Sequence, residues 1–552
     1  MSKYLDVIPL GGVGDFGMNC AILCYQNEMV LVDAGVRFPG QNPGSNLGVG
    51  VIVPDFSFLK KQERQLQAVL LTHGHEDHAG AIPHVINEFP VPVYASPLTL
   101  GLVREKLKEH RLLDFAQLKP IQARQILELG SFRIEPLHIT HSFPDSFCFA
   151  ISTPAGTIIW TGDFKFDQTP VDGKLSDVAR LTDYGKQGVL ALFSDSTNSE
   201  IPGPSPSEFN MYNSLRTFFK KATHALIFSC FSSSIHRIQI IFDLAQEFER
   251  KVLVLGRSMI TNIKIAVKLN YLSFPEDLMI TTAQAAKIPR RQLSILATGS
   301  QGDPMAAMSR LATDKVQNIS VQEDDFVILS SRIIPGNEKL IACMVNHFYR
   351  RGAQVYNSSS SPVHSSGHGF QDDLQSMVNL IKPQFFIPIH GDFKQLKLHA
   401  ELVQNQGMPT QNIRIIENGD VLRLNKNSAK IIERVQVGQR CIDNETLKEI
   451  HKDILCDRRY LSEDGVVVVT LYFERLSGEL IGKPEFISRG FVPMGTSSKL
   501  ANAAQEKVVE LISKISNQDK KNFKEKLQIH LKRFLRKQTG KRPVILPIVV
   551  EL

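Results

Sequence analysis

The feature that most constrains this chain is the segment THGHEDHAG at residues 72–80, which follows a short apolar run. It places His73, His75, Asp77 and His78 within six residues. Neutral imidazole nitrogens and carboxylate oxygens are common ligands of divalent metal ions. A lone histidine is more often a core or surface residue, but four ligand-type residues at this spacing indicate a metal centre. Ligands packed this densely can face two neighbouring ions as well as one.

Short apolar runs alternate with turns and helical stretches through the first part of the chain. The runs at 29–35, 66–75, 91–96 and 156–163 are predicted to be buried strands, and each ends in Gly, Asp, Ser or His. Folds that mix helices and strands usually place their sites just past strand ends. The metal-type residues after these runs therefore predict an α/β fold with a site at one edge of a sheet.

Composition is that of an ordinary globular protein. The 552 residues are 43% hydrophobic and 22% charged, enough chain for roughly three or four folding units. Seven scattered cysteines with no CxxC pair support neither a disulfide framework nor a cysteine zinc site. Because the chain also lacks a signal pattern and a long apolar run, we expect a cytoplasmic protein with no membrane partner. The net charge of +7 permits a polyanionic partner without requiring one.

A second block of the chain has its own alternation of strands and helices and predicts a parallel α/β domain. After it, the apolar run at 383–392 returns to the earlier style, which indicates an insertion into the first domain. An Asn-Gly pair within 414–424 predicts a hairpin, and a last segment predicts a small α+β unit. The predicted domains are a first domain in two parts (1–204 and 358–430), an inserted domain (205–357), a linker (431–450) and a C-terminal domain (451–552).

The string HGHEDH resembles the HxHxDH motif of the metallo-β-lactamase superfamily. The remaining motifs of that superfamily follow in order, with Asp33 in LVDAG, His141 in HSFPDS, Asp163 in WTGDFKFD and His390 in PIHGD. The resemblance implies an αββα sandwich in which Asp33 orders the metal loops through hydrogen bonds. His138 is a rival to His141 as a ligand, but the superfamily pattern favours His141 and leaves His138 as a core residue at a strand end.

The same resemblance implies two ions that share one carboxylate. Two such cations about 3.5–4 Å apart clamp a phosphoryl oxygen, and a bound water can ionise near pH 7. Zinc is the first expectation for a shell this rich in histidine, with manganese and magnesium as alternatives. The implied ligands are His73, His75 and His141 for one ion, Asp77, His78 and His390 for the other, and Asp163 for both.

The inserted block resembles the β-CASP domain of nucleic-acid-processing members of the superfamily. Asp195 in LFSDSTN, His368 in VHSSGHGFQDDL and His390 resemble its motifs A, B and C, and a histidine at motif C goes with RNA substrates in that group. Over essentially its full length the chain is similar to the bacterial ribonuclease J family, through strings such as PLGGVGDFGMN, FSSSIHRIQ, TGSQGDPMAA and TGKRPVILPIVVEL. Each string alone is weak, but together they are specific.

This family resemblance implies a metal-dependent ribonuclease of RNA decay and maturation, including mRNA decay and rRNA processing. It implies a 5′-to-3′ exonuclease that favours 5′-monophosphate ends and also cuts internally. Asp77, His368 and Asp195 are the implied catalytic residues. His368 would protonate or hydrogen-bond the leaving oxygen, and Asp195 would orient His368 or a metal ligand.

Ser233, His364 and Ser366 resemble the residues that bind the 5′-phosphate in this family. The alternative interpretation is that they are ordinary polar residues of loops near the site. His236 either contacts substrate or caps a helix, and the sequence does not decide between the two. Five residues depart from the family pattern without altering an implied ligand: Phe143, Ser234, the pair Arg332-Ile333 and Asp392. Their effect is therefore expected on substrate contacts.

The implied partners are RNA, further copies of the chain in a dimer or tetramer through the C-terminal domain, and RNA-decay proteins. A basic cluster at 520–542 fits RNA affinity, a solvated helix face or an assembly interface. Two alternative functions are a DNA-processing nuclease of the same architecture and an inactive RNA-binding scaffold. The histidine at motif C, His390, opposes the first alternative, and the complete ligand set opposes the second.

Overall fold

The computed structural model describes residues 4–39, 47–334, 336–493, 498–513 and 523–552. The chain divides into two compact units, Met1–Gly40 with Val51–Arg440 and Gln41–Gly50 with Cys441–Leu552. None of the helices in these described ranges has the length and apolar character needed to cross a bilayer.

The first unit is built on two mixed sheets that pack face to face. Apolar residues of both sheets, among them Leu23, Val30, Phe149 and Phe193, form one buried cluster between them, as the alternating inward faces of stacked sheets require. In spatial order the eight-stranded sheet contains Ser428–Arg434, Asp420–Asn425, Leu5–Gly11, Cys20–Tyr25, Glu28–Val32, Gln65–Leu70, Val93–Ala95 and Leu118–Pro120. The six-stranded sheet contains Phe385–Ile389, Ala191–Asp195, Gly156–Trp160, Ser146–Thr153, Phe132–Ile139 and Leu127–Leu129.

Helices cover the outer faces of both sheets. Leu181, Leu374 and Val403 lie on three different helices and share a buried cluster with strand residues of the six-stranded sheet. The helix Pro97–Glu109 packs on the edge of the eight-stranded sheet. This arrangement confirms the predicted αββα sandwich. The helices of these layers are Ser57–Lys60, Glu76–Ala79, Ile82–Glu88, Pro97–Glu109, Val178–Gln187, Gln371–Ile381 and Phe393–Asn405, with 3-10 turns at Leu113–Phe115 and Thr410–Asn412.

The inserted segment forms a separate six-stranded sheet whose strands are all parallel. The strands on either side of it, Ala191–Asp195 and Phe385–Ile389, pair with each other, so the insertion leaves the six-stranded sheet of the sandwich continuous. In spatial order its strands are Met279–Ile280, Lys251–Leu255, Leu293–Ala297, Leu226–Ser229, Phe326–Leu329 and Gln354–Asn357. Its helices are Phe209–Lys221, Ile235–Glu247, Arg257–Lys268, Thr282–Ala285, Ala307–Ala312 and Glu338–Tyr349, with a 3-10 turn at Arg290–Gln292.

The second unit has a small sheet in which Val466–Phe473 lies between antiparallel Leu480–Arg489 and parallel Val544–Glu551. Its helices are Lys452–Asp464, Lys499–Ser513 and Phe523–Thr539, so the predicted α+β character is confirmed. Leu527, Leu531 and Leu535 form the buried stripe of the last helix. Several basic residues of the predicted cluster lie on its exposed face, and residues 520–522 of that cluster lie outside the described residues.

The predicted hairpin at 414–424 is wrong, because no strand precedes the Asn418-Gly419 turn. Asn418 instead accepts a hydrogen bond from the backbone N–H of Val13. The hairpin forms one strand later, between Asp420–Asn425 and Ser428–Arg434, where Asn425 Oδ1 accepts two backbone N–H groups of the turn. The strand Ser428–Arg434 thus runs into the stretch 431–450 that was expected to be a linker. Two short paired strands, Val13–Gly14 and Gly391–Asp392, and the strands Val49–Pro54 and Gln439–Asp443 complete the fold.

Candidate metal centre

The residues expected to bind metal lie at one edge of the sandwich, just past the ends of its strands. Asp33 follows Glu28–Val32, His73 comes shortly after Gln65–Leu70, and His390 follows Phe385–Ile389. Asp33 and His390 have φ angles of 59° and 55°, a left-handed conformation that is costly for residues with a side chain. Sharp turns at strand ends therefore direct these side chains to a common point.

Asp33 links the two ends of the HGHEDH segment. One carboxylate oxygen accepts the backbone N–H of Thr72 at 2.8 Å, and the other lies 2.8 Å from Nδ1 of His78. Burial raises the pKa of Asp33, although His78 and Thr72 act in the opposite direction. Because a carboxylate can only accept hydrogen bonds, His78 Nδ1 carries the proton and its Nε2 faces the centre.

Backbone packing beside Asp33 leaves no room for a side chain at Gly35. Ala34 N–H donates to the His78 carbonyl at 2.7 Å, and a Cβ added to Gly35 would lie 1.6 Å from the Asp77 carbonyl oxygen. We expect Gly35→Ala to lower the free energy of unfolding by about 1–3 kcal/mol and to weaken metal binding, because the segment with Asp77 and His78 must move. Thermal unfolding and metal titration check this. Gly438→Ala serves as a glycine control, because Gly438 lacks a positive φ and a Cβ there comes no closer than 3.3 Å to the Asp55 side chain. Equal behaviour of the two variants contradicts the packing argument.

One group of ligand-type atoms consists of His73, His75, His141 and Asp163, which lie within 4.8 Å of one another. His75 Nδ1 is 2.9 Å from His73 Nε2 and 3.2 Å from His141 Nε2. Tetrahedral ligands at zinc–nitrogen distances of 2.0–2.1 Å lie about 3.3 Å apart. Burial lowers the pKa of all three imidazoles, that of His75 to about 4. They are therefore neutral at physiological pH, which is the form that binds metals.

A second group consists of Asp77, His78, His390 and the same Asp163. Nε2 of His78 lies 3.2 Å from Asp163 Oδ1, and Nε2 of His390 lies 3.5 Å from Asp77 Oδ2 and 3.6 Å from Asp163 Oδ1. Burial opposes the charge of His390, but Asp163, Asp195 and Asp77 raise its pKa to about 10. Without metal, protons on the imidazoles of His78 and His390 balance the negative charge of Asp77 and Asp163. Metal binding has to displace these protons.

Two buried atoms at the centre lack hydrogen-bonding partners among the described residues. They are Asp163 Oδ1 and His390 Nε2; the 3.2 Å contact of Asp163 Oδ1 with His78 is not in hydrogen-bonding geometry. A buried polar atom without a partner is costly. Both atoms belong to the second group, and metal coordination would satisfy them. The donor set and its spacing therefore fit two divalent ions that share Asp163.

Asp195 connects the centre to His368. Its two oxygens lie 2.8 Å from His368 Nδ1 and 3.1 Å from His390 Nδ1, so both imidazoles present Nε2 away from Asp195. His368 Nε2 is 3.9 Å from Asp163 Oδ2. Burial opposes the charge of His368, but Asp195 and Asp163 raise its pKa. Asp195 itself has a lowered pKa, because the histidines outweigh its burial.

The residues expected to bind substrate occupy two places. His364 and Ser366 lie on the segment that leads to His368, and Ser366 Oγ accepts a hydrogen bond from Asn198 Nδ2 at 2.9 Å. Ser233 lies in the turn before the helix Ile235–Glu247. His236 lies in the first turn of that helix, with Nε2 3.5 Å from Asp172 Oδ2.

His138 is not part of either ligand group. Its Nε2 lies 3.3 Å from the backbone carbonyl of Lys174. His138 lies at the end of the strand Phe132–Ile139, as predicted, but its side chain is only partly buried, so the expected core position is wrong.

Several contacts that shape the centre involve residues to which the motifs assigned no role. Thr197 Oγ1 lies 2.7 Å from His390 Nδ1 and donates to Asp195. Asn19 Nδ2 lies 3.0 Å from His78 Nε2 and 3.3 Å from Asp77 Oδ2. His141 Nδ1 lies 2.8 Å from the Gly367 carbonyl. Thr197 is only two residues from Asp195 and an Asx-type turn there could have suggested it, whereas the other two partners are distant in sequence.

Family models match four segments of the chain. Residues 13–199 match the metallo-β-lactamase superfamily, and residues 223–348 match the ribonuclease J β-CASP domain. Residues 361–415 match the RNA specificity domain of zinc-dependent metallo-hydrolases, and residues 453–552 match the ribonuclease J C-terminal domain. The segment with His364, Ser366 and His368 thus lies within the RNA specificity match.

Curated relatives match almost the whole chain. Ribonuclease J2 of Bacillus subtilis is 35% identical over 554 residues, which cover 100% of this chain and 99% of the relative. Ribonuclease J of Thermus thermophilus is 37% identical, and the match covers 99% of this chain and 95% of the relative. Ribonuclease J of Synechocystis is also 37% identical, and the match covers 89% of this chain and 76% of the relative. A solved protein of unknown function from Enterococcus faecalis aligns with a TM-score of 0.55 at 15% identity, over 76% of this chain and 100% of that one. This last likeness shows the fold alone.

Proposed function

The chain belongs to the ribonuclease J family, and we propose that it is a 5′-to-3′ exoribonuclease that favours 5′-monophosphate ends and also cuts RNA internally. As a member of this family it is a metal-dependent ribonuclease. One observation carries the proposal most directly. Two ligand groups share Asp163, and His368 approaches that carboxylate from the segment that matches the RNA specificity domain.

We assign the first ion to His73, His75, His141 and Asp163, and the second to Asp77, His78, His390 and Asp163. When bound, the two ions supply an activated water and neutralise charge that develops on the phosphoryl group. Zinc fits the histidine-rich first group best, and the carboxylates of the second group also suit manganese or magnesium.

The chain's own residues orient the ligands and handle the proton of the leaving group. Asp33 fixes His78 and Asp195 fixes His390, in each case through Nδ1, so that Nε2 faces the metal centre. We assign His368 as the proton donor to the leaving oxygen. Its Nδ1 is held by Asp195, whose charge raises the pKa of His368 and favours a proton on Nε2.

We assign the binding of the substrate's 5′ end to Ser233, His364 and Ser366, with His236 as a further contact. Hydroxyls and imidazole donors are the groups that recognise a terminal phosphate. We place the catalytic domain at 1–204 and 358–430, the inserted domain at 205–357 and the C-terminal domain at 451–552. The C-terminal domain is proposed to form a homodimer or homotetramer, and the enzyme is proposed to act in the cytoplasm with RNA-decay proteins.

A time course with 5′-labelled, 5′-monophosphorylated RNA tests the proposal. We expect labelled mononucleotide as the earliest product, because the terminal phosphate directs the end of the chain into the site. Triphosphorylated RNA of the same sequence should be degraded more slowly, and a circular RNA should be cut only internally. Equal rates on the two linear RNAs contradict the preference for a 5′-monophosphate, and faster degradation of the matched DNA strand favours the alternative DNA nuclease.

A further inference from the structure

Three cationic residues, Arg237, Lys165 and Arg332, lie near the segment that carries His368. They differ in whether a carboxylate balances their charge. Arg237 pairs with Glu208 at 2.6 Å, and Lys165 Nζ lies 3.2 Å from Asp167 Oδ2. All four of these residues are buried. Within the described part of the chain, Arg332 has no carboxylate partner, and its side chain is exposed. Its positive charge is therefore available to a ligand.

Arg332 nevertheless has a defined position. Its Nη1 donates to Asn198 Oδ1 at 2.9 Å. The amide nitrogen of the same Asn198 donates to Ser366 Oγ at 2.9 Å and to the His368 carbonyl at 3.1 Å. This chain of hydrogen bonds fixes one end of the guanidinium beside the Ser366–His368 segment. The other N–H groups of the fork stay free to bind, and a guanidinium fork matches two oxygens of a phosphate.

A second polar group, two residues before Ser366 in the sequence, is also unsatisfied. Nδ1 of His364 is buried and has no hydrogen-bonding partner among the described residues. Burial and the charge of Arg237 lower the pKa of His364 to about 3, with smaller contributions from Arg332 and Lys165. His364 is therefore neutral, so it adds no charge to the pocket. The unpaired positive charge available to an anion in this pocket is therefore that of Arg332.

We infer that Arg332 binds the terminal 5′-phosphate of the RNA substrate and that it sets the preference for this end group. A 5′-monophosphate carries about −1.5 to −2 charge, more than an internal phosphodiester, and it gains more from a guanidinium. The inference rests on the proposed function, because it assumes that the Ser366–His368 segment receives the 5′ end.

The test compares Arg332→Met with the unchanged enzyme on two RNAs that differ only in a 5′-monophosphate or a 5′-hydroxyl group. We expect the ratio of kcat/KM between these substrates to fall about ten-fold or more, since a hydrogen bond to a charged group is lost. The change should appear in KM for the monophosphorylated RNA. Arg332→Lys should restore part of the ratio, because lysine keeps the charge but loses the fork.

Arg291→Met is a matched control. Arg291 is exposed and precedes the strand Leu293–Ala297, whereas Arg332 follows the strand Phe326–Leu329. Both strands run parallel to Leu226–Ser229. Arg291 therefore lies at the amino ends of the strands of this sheet, and Arg332 lies at their carboxyl ends. The control removes the same charge and should leave the substrate ratio unchanged.

The other outcomes are distinct from one another. Equal loss of kcat on both RNAs means that Arg332 only positions Asn198 and the His368 segment, and this overturns the inference. An equal rise of KM on both RNAs places Arg332 on an internal phosphate and overturns it as well. If the unchanged enzyme already shows no preference for the monophosphate, the proposed function and the inference both fail. If that preference is present but Arg332→Met keeps it, only the inference fails.

Discussion

Asp163→Asn is expected to lower kcat for RNA hydrolysis by at least about 10³-fold, a loss of roughly 4 kcal/mol of transition-state stabilisation. Asp163 is the residue common to both ligand groups, and both of its oxygens lie 3.2–3.9 Å from imidazole nitrogens of the centre. An amide has the shape of the carboxylate but carries no charge and is a poor metal ligand. The variant should therefore lose one or both ions.

Metal content per chain, measured on the purified variant, accompanies the rate. Asp183→Asn is the matched control, because Asp183 is exposed on the helix Val178–Gln187 and loses the same charge. Thermal unfolding separates a lost metal from a lost fold. A variant that keeps two ions and cleaves RNA within ten-fold of the unchanged rate refutes the shared role of Asp163.

His368→Ala is expected to lower kcat by about 10²–10⁴-fold, the usual contribution of a general acid. His368 is held by Asp195 and lies near Asp163, but it belongs to neither of the two groups assigned to metal. Metal content should therefore stay at two ions per chain. Rate and metal content are measured together, so that loss of a proton donor is distinguished from loss of a metal.

His138→Ala provides the control for a histidine near the centre, since His138 contacts the Lys174 carbonyl and lies outside the ligand groups. It should keep its activity. Full activity of His368→Ala with intact metal content refutes the role of His368 as proton donor. A ten-fold smaller loss on an RNA with a more acidic leaving group would support it, because such a group needs less help from an acid.

Much of the fold was predictable because apolar periodicity and strand length are local properties. The runs at 29–35 and 66–75 contain the strands Glu28–Val32 and Gln65–Leu70 from their second residues, and the run at 156–163 contains the strand Gly156–Trp160. The misplaced hairpin near Gly419 shows the limit of local signals. An Asn-Gly pair favours a tight turn, but the Asn418 side chain accepts a hydrogen bond from Val13, which lies in a separate two-stranded sheet. The hairpin therefore forms one strand later, after Asp420–Asn425.

The sequence by itself determined which residue types follow the strands, and hence that a histidine–aspartate centre is expected. Only the tertiary structure decided which nitrogen of each imidazole faces the centre and that Arg332 has no carboxylate partner among the described residues. Asp195 and His368 are 173 residues apart, and His141 and Gly367 are 226 residues apart. A hydrogen bond depends on distances of about 3 Å, and contacts between such distant residues are fixed by the packing of the whole domain. Local sequence signals do not reach that far, so the hydrogen bonds that tie Thr197, Asn19 and Arg332 to the site emerged only from the fold.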